Sequence, residues 1–436
     1  MDLPEIRRKI DAVDEQIIRL LNERADLVHE VGLLKKAQGQ PIYAPEREEQ
    51  VLRALAAKAR DINSRLPEKS IRAIYREIMS AALALEKDLT IAYFGPPSTN
   101  THQAARSRFG SSVDYVPQVT IADVFDAVAR GRADCGVVPI ENSTEGAVNH
   151  TLDVFMDSEL RICAQILMKI ENHLASNCAK EKIRKLYSHP QVFGQCRQWL
   201  QRTMPNVELI EVGSTPRAAE LASQQPDAGA LVGRMAAEAH GLPILELSVQ
   251  DNPNNTTRFL VIGPVAPPPT GEDRTSLMFC IRDEPGALFH ALEPFNRLHI
   301  SMSKIESRPS KRKAWEYFFF VDAEGHAEQA PMKEAVAELS KHCTLVKILG
   351  TYPKTTGLGG YLTRRAGYST RPIQTWGDDR LAQNRFANRR PACRVLFRVM
   401  GAPMTPGVPG RIPGTRRGGN PPYPAARMRC VQNSVN

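Results

Sequence analysis

The chain has 436 residues, of which 42% are hydrophobic and 24% charged, and its formal net charge is +9. This composition is ordinary for globular proteins and, at this length, predicts two to four domains. No apolar run approaches the length of about 18 residues that a transmembrane helix needs, and the charged first residues predict no secretory signal peptide. The eight cysteines form no C-x-x-C pair, so we expect free thiols in a reducing cytosol and no metal site.

The excess positive charge lies at the C-terminal end. Residues 355–436 contain 14 arginines, no lysine and two acidic residues, a balance of +12, so the remainder of the +9 chain carries −3. The segment is rich in Arg, Pro and Gly and lacks hydrophobic periodicity, which predicts a disordered tail. It reads either as a basic arm for nucleic acid or as an adventitious extension, such as a shifted reading frame. The abrupt loss of lysine favours the extension, so we expect no nucleic-acid partner.

Three helices are predicted at the N-terminus. Apolar residues spaced by three and four predict a first helix over residues 4 to about 36, ended by the glycine and proline of segment 39–41. At 1.5 Å per residue it would be roughly 50 Å long and would need a partner along its length, so we expect an intertwined homodimer or a higher oligomer. Two further helices are predicted from Pro45 to about Asn63 and from about Pro67 to Glu86.

Cationic residues recur on these helices. Arg24 and Lys35 are about three turns apart and share a face, whereas Arg7 points roughly 100° away from Arg24. A solvated charged face is the alternative reading. The segments "IRRKIDAVDEQIIRLLNER", "VGLLKK" and "YAPEREEQVL" resemble the all-helical chorismate mutase family. The resemblance implies that chorismate is bound by Arg7, Arg24, Lys35, Arg47 and Glu48, and that Glu86 faces its ether oxygen.

The mutase reaction explains these residue types. Chorismate rearranges to prephenate within one molecule, without a cofactor, so the protein must hold a dianion in a compact conformer and stabilise charge on the ether oxygen. Arginines bind carboxylates in bidentate fashion, Lys35 would lie against the ether oxygen, and Glu86 would have to be protonated to donate a hydrogen bond. Two positions depart from the family pattern, since Ala44 and Ala82 replace an Asp and a Ser of some relatives.

From Leu89 to about Gly263 strands and helices alternate, which predicts an α/β domain, and no Walker loop or G-x-G-x-x-G motif follows the first strand. An apolar run, 135–138, predicts a buried strand ended by Pro139, with a polar turn before a helix over 148–156. That turn reads as an anion site at a helix start or as a capped polar turn. The segment "VPIENSTEGAVNHTLD" resembles the signature of prephenate dehydratases. The resemblance implies two lobes of the periplasmic-binding-protein type, one formed by 89–165 with 256–263 and the other by 166–248.

Three further segments resemble this family: "YFGPPSTNTHQAA", "YSHPQVFGQC" and "NNTTRFLVIG". In the first, Ser98-Thr99-Asn100 replaces the Gly-Thr-Phe of many relatives. The resemblance implies a catalytic group, Thr257, Glu141 and Asn142, and a substrate-binding group, Ser188, Gln195 and Arg258. Ser214 and Thr215 open a predicted helix, which makes them candidates for binding a substrate carboxylate. Thr257 is too weak an acid to donate a proton unaided, and Glu141 is an alternative donor if burial raises its pKa. Two assignments have structural alternatives: helix capping for Ser214 and Thr215, and a buried ion pair for Arg258. His189 is a further candidate acid, but a lone histidine before a proline favours a structural role.

A proline-rich linker over 264–271 precedes a strand–helix–strand–strand–helix–strand pattern over 274 to about 352. This pattern resembles the α+β, ferredoxin-like ACT regulatory domain. Two motifs of dehydratase ACT domains occur at their expected places, which implies that phenylalanine is bound by Gly286, Ala287, Leu288, Glu306, Ser307, Arg308 and Pro309. Feedback inhibition by phenylalanine would then be a coupling between two sites.

The predicted organisation is therefore a mutase domain at 1–88, a dehydratase domain at 89–265, an ACT domain at 274–354 and a tail at 355–436. From Leu3 to Lys354 the chain resembles the bifunctional chorismate mutase–prephenate dehydratases of phenylalanine biosynthesis. The resemblance implies a cytoplasmic enzyme that uses chorismate, prephenate and L-phenylalanine, with no cofactor, metal, nucleic acid or membrane. The alternatives are a monofunctional prephenate dehydratase and a phenylalanine-responsive binding protein with a degenerate mutase domain.

Overall fold

A computed structural model describes residues 2–39, 43–282, 284–311 and 316–354. The predicted tail at 355–436 and the proline predicted to end the first helix lie outside the described residues. None of the helices in the described ranges is both long and apolar enough to cross a membrane.

Three helices form the N-terminal unit, as predicted: α1 (Leu3–Ala37), α2 (Pro45–Asp61) and α3 (Glu68–Glu86). The side chain of Asp2 accepts a hydrogen bond from the backbone N–H of Glu5 and so caps α1, and two lysines lie in the last turn of α1, where cations stabilise a helix. Helix α3 packs against both α1 and α2. Nothing in α1 is buried within the single chain, although it carries many large apolar side chains.

Two lobes follow. The elements of both lobes, in chain order, are β1 (Thr90–Phe94), α4 (Asn100–Phe109), β2 (Asp114–Gln118), α5 (Ile121–Ala129), β3 (Cys135–Asn142), β4 (Gly146–Ala147), α6 (Asn149–Asp157), β5 (Arg161–Lys169), β6 (His173–Ser176), a 3₁₀ turn (Lys180–Lys182), β7 (Lys185–Ser188), α7 (Pro190–Gln195), α8 (Arg197–Thr203), β8 (Glu208–Glu211), α9 (Thr215–Ser223), β9 (Ala228–Val232), α10 (Arg234–Ala239), β10 (Ile244–Glu246) and β11 (Thr256–Gly263). The first lobe has a sheet with strand order β2-β1-β3-β11-β5, and the second lobe has a sheet with order β10-β6-β9-β7-β8.

The two-lobed α/β arrangement was predicted correctly, but two details differ. Strand β5 continues to Lys169 in the first lobe, so the crossover lies a few residues beyond the predicted boundary at 165. Strand β3 does not end at Pro139. Residue 259 of β11 is paired with Pro139 and residue 258 with Glu141, so the strand passes the proline through a bulge and continues to Asn142. A bulge tolerates a residue without an N–H donor.

The C-terminal unit has the predicted order of elements: β12 (Asp273–Ile281), α11 (Ala287–Arg297), β13 (Met302–Pro309), β14 (Tyr317–Glu324), α12 (Ala330–His342) and β15 (Cys343–Pro353). Its antiparallel sheet has strand order β13-β14-β12-β15. One face of this sheet carries the two helices. The other face packs against the first lobe, where Ile140 and Ile162 share an apolar core with Phe320 and Leu349. Strands β3 and β11, which carry the predicted site residues Asn142 and Thr257, thus lie close to the C-terminal sheet.

Candidate active site

Asn142 and Thr257 form the centre of the candidate dehydratase site. The antiparallel register of β3 and β11 places them opposite each other, and Nδ2 of Asn142 donates a 2.8 Å hydrogen bond to Oγ1 of Thr257. The same amide group donates to Oδ1 of Asn255 at 2.8 Å, and its oxygen accepts from the backbone N–H groups of Thr144 and Glu145 at 2.9 and 3.1 Å. Asn142 is therefore fixed on all sides, and it fixes the hydroxyl of Thr257.

The second lobe reaches this site through Gln195, at the end of α7. Nε2 of Gln195 lies 3.4 Å from Oε1 of Glu145, which follows β3 in the first lobe. Nδ2 of Asn172 donates to Oε1 of Gln195 at 3.2 Å and orients the amide. The predicted residues Thr257 and Asn142 are thus joined by hydrogen bonds, through Glu145, to Gln195 of the second lobe, and the candidate site lies at this cleft where the two lobes meet.

The divergent loop holds an unusual backbone conformation at Ser98. Its φ of 67° lies in the left-handed region, which favours the glycine that many dehydratases carry there. The backbone N–H of Ser98 donates to Nδ1 of His102 at 3.0 Å, and the ring of His102 stacks on Tyr93 at 4.6 Å. Burial, with a smaller contribution from Arg106, lowers the pKa of His102, so the ring stays a neutral acceptor. The loop is therefore held in place despite the substitution.

Glu141 and Arg258 do not lie in this cleft, which corrects the expectation from the sequence. Successive side chains of a strand point to opposite faces, so the neighbours of Asn142 and Thr257 point away from the cleft. Oε2 of Glu141 lies 3.0 Å from Nζ of Lys304, in β13. The guanidinium of Arg258 contacts Asp322 and donates to the hydroxyl of Tyr352 at 2.7 Å. Glu141 is not placed to protonate a ligand beside Thr257, and Arg258 has the geometry of the buried ion pair that the sequence left open.

Three other predicted residues have structural contacts. Ser188 is fully buried, and its hydroxyl donates to the carbonyl oxygen of Leu231 at 2.6 Å, so it is closed to a ligand. Ser214 caps α9 by accepting from the backbone N–H of Arg217 at 3.3 Å, and Thr215 follows as the first helical residue. His189 caps α7 in the same way, as its structural reading predicts. The hydroxyl of Ser188 is therefore not part of the candidate site.

In the N-terminal unit, Lys35 and Ala44 line a cavity of about 570 Å³ that also reaches the first lobe. Glu86 packs against Gly32, and its Oε2 atom is buried without a hydrogen-bond partner among the described residues. Burial raises the pKa of Glu86, and the charges of Lys35 and His29 oppose this shift only in part. Arg7 and Arg47 are exposed in the single chain, and Arg24 is half-buried.

Glu48 contacts two arginines from different units. Its carboxylate pairs with Arg76 of α3 and, at 2.9 Å, with the buried Arg108 of α4 in the first lobe. Nε of Arg108 also donates to the hydroxyl of Tyr43 at 2.8 Å. The carboxylate predicted to bind chorismate thus joins the N-terminal unit to the first lobe.

The residues predicted to bind phenylalanine lie on two elements of the C-terminal unit. Gly286 precedes α11 with a φ of 78°, a conformation that glycine adopts without strain, and Ala287 and Leu288 begin the helix. Glu306, Ser307, Arg308 and Pro309 end β13, an edge strand. Nη2 of Arg308 lies 2.9 Å from Oδ1 of Asp153 in α6, so this strand also contacts the first lobe.

Comparison with known families matches three separate stretches of the chain. Residues 6–87 match the family described as Chorismate mutase type II, residues 91–266 match Prephenate dehydratase, and residues 275–341 match the ACT domain. The bifunctional chorismate mutase/prephenate dehydratase of Aquifex aeolicus is 46% identical over 355 residues, which cover 81% of this chain and 98% of that protein. The chain belongs to the bifunctional chorismate mutase/prephenate dehydratase family.

Other relatives agree with this assignment. The bifunctional chorismate mutase/prephenate dehydratase of Neisseria gonorrhoeae is 43% identical over 352 residues, which cover 80% of this chain and 96% of that protein. The crystal structure of the prephenate dehydratase from Arthrobacter aurescens in complex with L-Phe has a TM-score of 0.57 and 31% identity, and it covers 61% of this chain and 90% of that one. The resemblance to the bifunctional family that the sequence suggested is confirmed.

The dehydratase cleft presents one oriented hydroxyl. Because Thr257 accepts its hydrogen bond from Asn142, its own hydrogen is available to a group in the cleft. The residues that the sequence reasoning missed are those that join units: Asp153, Lys304, Asp322, Arg76 and Arg108. Asp322 follows the apolar run "FFFV", and a buried acid in such a strand is a signal that could have indicated an ion pair.

Proposed function

We propose that this protein converts chorismate to prephenate in its mutase domain and prephenate to phenylpyruvate, carbon dioxide and water in its dehydratase domain. The observation that carries the dehydratase assignment is the 2.8 Å hydrogen bond from Asn142 to Thr257 at the cleft of a prephenate dehydratase fold. We also propose that the mutase domain spans 1–88, the dehydratase domain 89–265, the ACT domain 274–354 and the tail 355–436. The free cysteines of the described ranges fit a cytoplasmic location.

In the dehydratase, the C–C bond to the ring carboxylate and the C–O bond to the ring hydroxyl break, and the ring becomes aromatic. The leaving hydroxyl needs a hydrogen-bond donor, and we assign this role to Thr257 with Asn142 as the residue that orients it. Gln195 would contact prephenate from the second lobe. The backbone N–H groups at the start of α9, beside Ser214 and Thr215, would bind its carboxylate.

In the mutase, Lys35 and a protonated Glu86 would face the ether oxygen, while Arg24 and Arg47 would bind the carboxylates of chorismate. Helix α1 exposes a long row of apolar side chains, among them Ile10, Ile17 and Leu34. Burying these side chains against a second copy would stabilise the helix and would bring Arg7 of one copy to the site of the other. We therefore propose a homodimer as the active species.

We further propose that phenylalanine binds the ACT domain and inhibits the dehydratase. The relative from Arthrobacter aurescens was solved with L-Phe, and both ACT motifs are present here. Arg308→Ala and Gly286→Val should relieve inhibition without lowering the uninhibited rate. Unaltered sensitivity in both variants would contradict this assignment.

One observation favours a second candidate, a monofunctional dehydratase. Glu48 is already paired with Arg76 and Arg108, and Ala44 and Ala82 replace polar residues of some mutases. In that case the protein would consume prephenate but not chorismate.

The test supplies purified protein with chorismate or with prephenate and follows phenylpyruvate by its absorbance in alkali, with and without phenylalanine. Both substrates should yield phenylpyruvate. Thr257→Val should lower the dehydratase kcat by about 100-fold or more, because it removes the hydroxyl at nearly constant size, while Thr257→Ser should retain much of it. Chorismate consumption should be unchanged in both variants. Failure to consume either substrate, or full dehydratase activity in Thr257→Val, would refute the proposal.

A further inference from the structure

Four charged side chains form a network behind the catalytic strands. Glu141 and Arg258 come from β3 and β11 of the dehydratase, and Lys304 and Asp322 come from β13 and β14 of the ACT domain. Nη1 of Arg258 lies 2.5 Å from Oδ2 of Asp322 and 3.8 Å from Oε2 of Glu141, and Nζ of Lys304 lies 3.0 Å from the same Oε2 atom. The ACT sheet is therefore joined by charge directly to the strands that carry the candidate site.

Each dehydratase member of this network is the immediate neighbour of a cleft residue. Glu141 precedes Asn142 in β3, and Arg258 follows Thr257 in β11. The two residue pairs are in register, Thr257 with Asn142 and Arg258 with Glu141. Because one backbone carries both faces of a strand, a displacement of the Glu141 side chain is transmitted to the peptide that holds Asn142. A shift of the Asn142 amide alters the hydrogen bond that orients Thr257.

The two ion pairs of the network differ in how readily they can change. The side chain of Glu141 is 39% exposed, whereas those of Lys304, Arg258 and Asp322 are 11%, 9% and 8% exposed. Nζ of Lys304 makes no aligned hydrogen bond within the described residues, so its contact with Glu141 is an ion pair alone. A cavity of about 20 Å³, enough for one water molecule, is lined by Lys304, Arg258 and Asp322. The Lys304 side chain thus has a small free space beside it, and its partner Glu141 is partly open to solvent.

Strand β13 links this contact to the predicted phenylalanine site. Lys304 lies two residues before Glu306, the first residue of the predicted motif, and alternate residues share one face of a strand. The motif's Arg308 contacts Asp153 of the dehydratase at 2.9 Å. A ligand that moves the end of β13 therefore moves Lys304 as well. A displacement of about one ångström would lengthen the 3.0 Å contact between Lys304 and Glu141 beyond hydrogen-bond distance.

We propose that Lys304, an ACT-domain residue, is a positioning residue of the dehydratase: through Glu141 it sets the position of Asn142 and Thr257, and it relays the ligand state of β13 to them. This inference rests on the proposed function. If the Lys304–Glu141 ion pair had a purely structural role, it would contribute to stability and leave the response to phenylalanine unchanged.

The experiment uses the full-length protein and measures the dehydratase kcat/KM with and without saturating phenylalanine, together with phenylalanine binding by calorimetry. Lys304→Met should reduce the ratio of the two kcat/KM values at least about fivefold, because the coupling is lost, while phenylalanine still binds. Lys304→Arg, which keeps the charge, should restore most of the ratio. Lys347→Met is the matched control, since it removes another ACT-domain lysine that contacts the dehydratase, at Glu159 and at the carbonyl oxygen of Ser158 rather than at β3 or β11. The control should behave like the wild type.

Glu141→Gln tests the same contact from the other side and keeps the inference testable if Lys304→Met fails to fold. It should reduce the ratio as Lys304→Met does, and the double variant should show no further reduction. A ratio within twofold of the wild type in a variant that binds phenylalanine would overturn the inference, as would loss of phenylalanine binding in Lys304→Met, which would place Lys304 in the ligand site. Wild-type protein that does not consume prephenate would instead refute the proposed function itself.

Discussion

Replacing Asp322 by asparagine should destabilise the dehydratase–ACT interface strongly. Asp322 accepts hydrogen bonds from Arg258 and from Ser276 in a site closed to solvent. Burial by itself raises the pKa of Asp322, but the charge of Arg258 and the hydrogen bonds from Ser276 and Arg258 outweigh it, and the net pKa lies below its usual value. Asparagine keeps the size of the side chain but leaves the buried Arg258 with only the more distant carboxylate of Glu141, 3.8 Å away, as a counter-charge. Breaking a buried pair in this way costs about 3–5 kcal/mol.

The assay is urea unfolding followed by circular dichroism. With a slope of about 3 kcal/mol per molar urea, a loss of this size lowers the midpoint by about 1–2 M. Asp126→Asn is the control. Asp126 lies in α5, its side chain is 40% exposed, and it pairs with Arg130 and Arg132 beyond the end of the helix. Such exposed pairs contribute at most about 1 kcal/mol. Equal midpoint shifts in the two variants would refute the reasoning. The depressed pKa also fixes the sign of the pH dependence: the contribution of the pair is complete above the unfolded pKa of aspartate and is lost only as the pH falls through the lower folded pKa.

Three further predictions concern other contacts. If Glu86 donates a hydrogen bond in its protonated form, mutase activity should fall as the pH rises through its raised pKa, and Glu86→Gln should flatten that profile; an unchanged profile in the variant would exclude the role. Gly350→Ala should lower the thermal midpoint by an amount equivalent to about 1–3 kcal/mol, because the added methyl would overlap the backbone of Ile162 in the dehydratase, whereas Gly213→Ala, with open space around it, should not. Glu48→Gln should destabilise the mutase–dehydratase contact by about 3 kcal/mol, since two arginines lose their counter-charge; loss of mutase activity with unchanged melting would instead assign Glu48 to chorismate alone.

The order and type of the elements could be predicted from the sequence because they depend on local pattern. The three-and-four spacing in α1, the proline at the start of α2 and the alternation of strands and helices from Thr90 all led to elements that the structure contains. Pro139 misled the prediction, because a proline ends most strands but is tolerated at a bulge, and the bulge depends on the register with β11. Register is a tertiary property that a single strand does not carry.

The site could be predicted only in part, for a related reason. The signature segment identified Glu141 and Asn142 together, and sequence alone treats neighbours as members of one site. Strand geometry separates them, so that Asn142 faces the cleft and Glu141 faces Lys304. Ser188 shows the same limit, since only the fold reveals that its hydroxyl is buried against the carbonyl oxygen of Leu231.

The alternation of side chains along a strand, which misled the site prediction, is also the basis of the proposed coupling between the ACT domain and the dehydratase site. Consecutive residues of a strand point to opposite faces but share a peptide bond. Contacts on one face therefore constrain the backbone that positions the side chain on the other face. Helix α4 provides a second connection of this kind. It begins beside the divergent loop, at Asn100, and about 12 Å further along, at Arg108, it is paired with Glu48 of the mutase domain. Strands β3 and β11 thus contact the ACT domain, and α4, which begins beside the divergent loop, contacts the mutase domain. Ligands of either neighbouring domain should therefore alter prephenate turnover, and a mutase inhibitor that binds the protein without changing the dehydratase kcat/KM would show that α4 transmits nothing.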